Sequence, residues 1–171
     1  GNGTAKLVKD SPWRDKGTGV LDDLGSHLLD TLDFWFGRGR LKNIKATKAA
    51  FENASADYVV STFEMNGIIF NLEMTLCSWK NSFTCEIIGE RGSLSIKGLC
   101  KWGTSEMIHR VRTLPSGVPS EIVSTEPKGD PTWKLEYDHF KELIYRNTKI
   151  ELHTDAWIQE SLKEIYEATN R

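Results

Sequence analysis

Residues 17–37 read GTGVLDDLGSHLLDTLDFWFG, and the fold of the 171-residue chain turns on this stretch. At about 100° per residue, Leu21, Leu24, Leu28, Leu32 and Trp35 share one flank of a helix, while Asp23, His27, Asp30 and Phe34 fall together on the adjacent flank. Gly37 marks its stop. An apolar stripe beds the helix on a core, and the polar stripe beside it needs its own account. Asp23 and His27 lie four residues apart, so their side chains can meet, and a carboxylate near an imidazole orients it and favours its protonated form, as a general base requires. The same residues also read structurally, with Asp22 and Asp23 favouring a helix N-terminus through the macrodipole and His27 a satisfied buried histidine. Asp23, His27 and Asp30 are competent metal ligands too, but one helical face closes no coordination sphere alone, so no metal is expected. His109, His139 and His153 carry no matching motif.

Outward from this helix the texture changes. LKNIKATKAAF (41–51), DYVVSTFEM (57–65), IIFNLEMTLCS (68–78), FTCEIIGE (83–90) and SLSIKG (93–98) are rich in β-branched and aromatic residues and predict five strands. MIHRVRTL (107–114) predicts a sixth, and SGVPSEIVSTEPKGDP (116–131) reads as a loop from its Pro, Ser and Gly content. The Asn66-Gly67 dipeptide predicts a tight hairpin joining the second and third strands, and Arg91-Gly92-Ser93 repeats that signal more weakly. Helical periodicity returns with Trp133, Tyr137, Phe140, Leu143 and Ile144, and again with Ala156, Ile158, Leu162, Ile165 and Tyr166. Helix, strands, then two helices is the order of an α+β fold. We expect a largely antiparallel, open-faced β-sheet with helices packed on one face, in one domain over residues 1–171.

The 22 basic and 24 acidic residues are interleaved, which argues against nucleic acid or an anionic membrane as partner. No apolar run approaches the roughly 20 residues that cross a bilayer, and residues 1–14 lack the apolar centre of a signal peptide. Cys77, Cys85 and Cys100 are odd in number without a CxxC spacing, so a soluble protein of the reducing cytoplasm is expected. No GxGxxG, P-loop or GxSxG occurs, so any cofactor must be held mainly by something else.

Residues 17–37 resemble the GGGxLxDxGxHxxDxxxxxxG signature of the glucose-fructose oxidoreductase and inositol dehydrogenase (Gfo/Idh/MocA) family, with Gly17, Gly19, Asp23, Gly25, His27, Asp30 and Gly37 in the matching places. SPWRDKG (11–17), the segment Ile88 to Leu94 and the helices after Trp133 extend the likeness along nearly the whole chain. The resemblance implies the C-terminal substrate-binding and dimerisation domain of an NAD- or NADP-dependent dehydrogenase. The N-terminal Rossmann domain, with the dinucleotide glycines and the Glu-Lys-Pro lysine, is absent from these residues. It implies His27 as acid/base on a substrate hydroxyl, with Asp23 beside it and both facing the nicotinamide. The flank with Asp30 becomes the substrate face, and Gly19 lets backbone approach the cofactor. Trp13 could stack on a sugar ring and Arg14 pair with an anionic group; a loop-anchoring Trp and a surface Arg are the structural readings of the same pair. The implied substrate is a sugar, cyclitol or nucleotide-sugar, and the implied assembly is a homodimer through the sheet face. The chain alone is then expected to be inactive. A non-catalytic binding or assembly module that kept the fold is the competing reading.

Overall fold

The computed structural model describes residues 10, 17–99, 103–126, 129–149 and 152–170. A π-helical turn, Leu21–Gly25, leads into α1 (Ser26–Phe36). Seven strands come next: β1 (Lys42–Ala49), β2 (Tyr58–Met65), β3 (Ile68–Thr75), β4 (Thr84–Gly89), β5 (Gly92–Lys97), β6 (Ser105–Val111) and β7 (Ser120–Glu126). Two helices close the chain, α2 (Thr132–Tyr145) and α3 (His153–Ala168). The fold is α+β, and every strand pairing is antiparallel.

The strands form two sheets, β1-β2-β3 and β4-β5-β6-β7, where the sequence predicts one. Residues 76–83 carry no strand between β3 and β4, and the chain divides there into two compact units, Gly1–Trp79 with Ile150–Arg171 and Lys80–Lys149.

In the first unit β2 alternates strictly, turning Val59, Ser61, Phe63 and Met65 inward. Val59, Phe63 and Met65 meet Phe70 and Met74 of β3, Leu29 and Leu32 of α1, and Ile158, Leu162 and Ile165 of α3 in a single core. The expected hairpin is present. Met65 pairs with Ile68, and Asn66 and Gly67 both take positive φ, 54° and 78°, the backbone of a type I′ turn. Asn66 also donates its side-chain amide to the carbonyls of Phe36 and Gly37, at 3.3 and 3.1 Å, tying the turn to the end of α1. On α3 the apolar contact includes Trp157, whose indole N–H donates to the Gly39 carbonyl at 2.8 Å, and Ala156 is exposed.

In the second unit β7 replaces the predicted loop. Ile122, Val123 and Thr125 suit a strand, but Pro119, Pro127 and Gly129 around them outweigh those residues when composition alone is read. Every residue of β7 is exposed, as an edge strand can be. α2 forms where periodicity places it, but none of its residues is buried: Trp133, Tyr137, Phe140 and Ile144 are exposed. Cys85 lies in β4, Cys77 just beyond β3, both as half-buried thiols, and Cys100 falls outside the described residues.

Candidate active site

The segment 17–30 is anchored at its start by a loop to which no sequence motif assigns a role. Asp57 has no solvent exposure, and its carboxylate accepts the backbone N–H groups of Phe51 at 2.9 Å, Glu52 at 2.6 Å and Asn53 at 3.2 Å. Burial alone would raise this carboxyl. The N–H donors from Glu52, Phe51 and Asn53, with the Cys77 thiol, outweigh it and hold Asp57 below its ordinary value. The loop so fixed presents the Ala56 carbonyl to the N–H of Val20 at 2.8 Å. Gly19 (φ 66°) sits against that carbonyl, and a Cβ there would collide with its oxygen. The close backbone approach expected at Gly19 is therefore made to Ala56, which accounts for a glycine whether or not a cofactor comes near.

From this anchor the chain enters the π-helical turn. A turn closed by i→i+5 bonds takes in an extra residue and shifts the phase of the helix after it. The buried line accordingly runs Val20, Leu21, Gly25, Leu29 and Leu32. Leu24 and Leu28 are only partly buried against the core, and Trp35, expected on the buried flank, is 38% exposed. A Cβ at Gly25 would meet Leu21 Cδ1 at 3.0 Å, Leu162 Cδ2 at 3.1 Å and Met74 Sδ at 3.2 Å, so the turn packs tightly on α3 and β3.

Asp23 is half-buried, and His27 and Asp30 are exposed on the same open side of the helix. His27 is thus not a buried, satisfied histidine. Its imidazole has no partner among the described residues, and no hydrogen bond joins it to the Asp23 carboxylate; Thr31 donates to the His27 carbonyl, not to the ring. The arrangement is an open imidazole with a carboxylate one turn before it and another one turn after, on a helix whose far side is core. Such a group can take or give a proton to a ligand without first breaking a protein hydrogen bond. Trp13 and Arg14 lie outside the described residues. No cluster of three or more His, Cys, Asp or Glu side chains among the described residues could hold a metal. No described helix is long and apolar enough to cross a membrane.

Residues 2–95, more than half of the chain, match the Gfo/Idh/MocA C-terminal domain. The chain belongs to this family. Solved structures share the fold at low identity. The UDP-N-acetylglucosamine 3-dehydrogenase of Acidithiobacillus ferrooxidans is 18% identical with a TM-score of 0.71, covering 91% of this chain and 50% of its own. An Agrobacterium radiobacter oxidoreductase, crystallised with NAD+, L-tartaric acid and magnesium, is 13% identical with a TM-score of 0.70, over 96% of this chain and 51% of its own. A Thermotoga maritima oxidoreductase is 21% identical with a TM-score of 0.65, over 97% and 46%. The chain therefore spans about half the length of the structures it matches. No curated protein sequence matches it.

Proposed function

We propose that this chain is the substrate-binding half of an NAD- or NADP-dependent oxidoreductase acting on a hydroxyl of a sugar, cyclitol or nucleotide-sugar. The observation that carries the reading is the exposed His27 imidazole, without a partner among the described residues and with Asp23 one turn before it, in a family member whose solved neighbours are oxidoreductases. His27 accepts the substrate hydroxyl proton as the carbinol carbon is oxidised. Asp23 favours the imidazolium that forms, and Asp30 offers an acceptor to a neighbouring hydroxyl. A bound nicotinamide would supply the hydride acceptor. Among the described residues no glycine-rich strand-to-helix turn offers a dinucleotide cradle, so the cofactor would be held mainly by a Rossmann domain outside this sequence. An enzyme is favoured over a non-catalytic module by the same imidazole, which stands exposed between two carboxylates of its own helix at the family's matching positions.

Because His27 is exposed, His27→Ala should leave the melting temperature of the intact enzyme nearly unchanged. It should lower kcat by about 10²-fold to 10⁴-fold, the range for a positioned acid/base. Turnover and melting are read on one preparation, and a His27→Ala enzyme with full turnover ends the catalytic reading.

A further inference from the structure

We infer that the π-helical turn Leu21–Gly25 is a positioning device for the Asp23–His27 pair, with Gly25 and Ser26 as its positioning residues; the inference rests on the catalytic reading above. Four α-helical steps from Asp23 to His27 would leave the two side chains about 40° apart around the axis. Two of those steps fall inside the π turn, where each residue advances by less than in an α-helix. The separation closes, and the carboxylate and imidazole stand nearly one above the other on the open side. The wider turn also carries the buried line from Leu21 to Gly25, so the helix is seated by a residue with no side chain rather than by Leu24.

Two residues hold the turn. Gly25 lets it press on α3 and β3, where a methyl group would meet Leu21, Leu162 and Met74 at 3.0 to 3.2 Å. Ser26 donates its hydroxyl to the Asp22 carbonyl at 2.9 Å and reaches the Asp23 carbonyl at 3.4 Å, satisfying backbone acceptors where the hydrogen-bond pattern changes. Neither residue is given a part in proton transfer, so both act through the direction in which that flank points.

The test uses the intact enzyme and its own substrate, with Gly25→Ala, Ser26→Ala and Ser26→Thr. We expect Gly25→Ala to lower kcat by about 10-fold or more, within the up to ~10²-fold cost of a misplaced catalytic group. KM for the cofactor stays unchanged. Ser26→Ala should show a smaller loss with an altered acidic limb of the pH–rate profile, and Ser26→Thr, which keeps the hydroxyl, should restore both. If Gly25→Ala fails to fold, Ser26→Ala and its Thr rescue decide. Folded variants with wild-type kcat and pH profile, beside a His27→Ala enzyme that has lost turnover, overturn the positioning role and leave the catalytic reading standing. A His27→Ala enzyme that keeps its turnover overturns both.

Discussion

Asp57 fixes the loop on which the candidate site is hung, and its charge makes that anchorage pH-dependent. Its folded-state value is depressed, so its contribution is fully present above the ordinary carboxyl value of 3.8 and is lost as pH falls below that, through the folded value. Asp57→Asn keeps the shape but replaces a charged acceptor of three backbone N–H groups with an amide. It should cost roughly 1.5 to 3 kcal/mol near pH 7, as for hydrogen bonds to a charged group. Urea unfolding of both proteins from pH 7 to pH 3 checks this. The wild-type advantage should shrink below about pH 4, and a gap constant over the whole range would show that the charge is irrelevant. In the sequence this residue is one acid among many, at the end of FENASAD. Its only mark is a carboxylate placed between a polar turn and the first residue of an apolar strand. His27, by contrast, stands out in the sequence because its spacing from Asp23 and Asp30 repeats the helical period, and the structure leaves His27 and Asp30 exposed.

Elements were legible where one local rule dominated. The Asn66-Gly67 turn needs two positive φ values that few other residues adopt, so its dipeptide alone names the hairpin. β7 was hidden because Pro119 and Pro127 frame it, and loop chemistry competes with three β-branched residues. The π turn had no signature at all: its phase shift is set by what Gly25 packs against, and those partners, Leu162 and Met74, are distant in sequence. Asn66 shows how one residue can join two elements, since it makes the turn and caps α1 at once. The two roles separate by mutation. Asn66→Gly keeps the left-handed backbone and loses the side-chain bonds to the Phe36, Gly37 and Arg38 carbonyls, for an expected cost of about 1 kcal/mol. Asn66→Ala loses both and should cost a further ~1 kcal/mol for a non-glycine Cβ in that region. Equal melting temperatures for the two variants would refute the division.

At the scale of the whole molecule the open question is what covers the second sheet. Cross-strand register puts Ile87, Leu94, His109 and Ile122 in one row and Cys85, Ile96 and Met107 in the next, all on one face of β4–β7. The opposite face is mixed: Ser95 donates to Glu86 and Arg110 reaches both Ser95 and Glu121, with Ile88, Ile108 and Val123 standing among them. The apolar face is open: Met107 is 39% and Ile122 59% exposed. A face with two rows of apolar side chains gains stability when it is packed, and two copies related by a two-fold axis would pack it without any further component. We propose a homodimer formed through this face. A stable interface buries about 1,200–2,000 Å² in total, which two four-stranded faces can reach only if the rows at their centre interdigitate. Leu94 sits in the first of these rows, half-buried on the inner strand β5, whereas Ile122 lies on the edge strand β7. Leu94→Glu should therefore dissociate the dimer, and Ile122→Glu should weaken it less, by the smaller cost of a charge at a wetter rim. Sedimentation of the intact protein at tens of micromolar gives the answer. A wild-type monomer would refute the dimer, and a Leu94→Glu protein that stays dimeric would move the interface elsewhere.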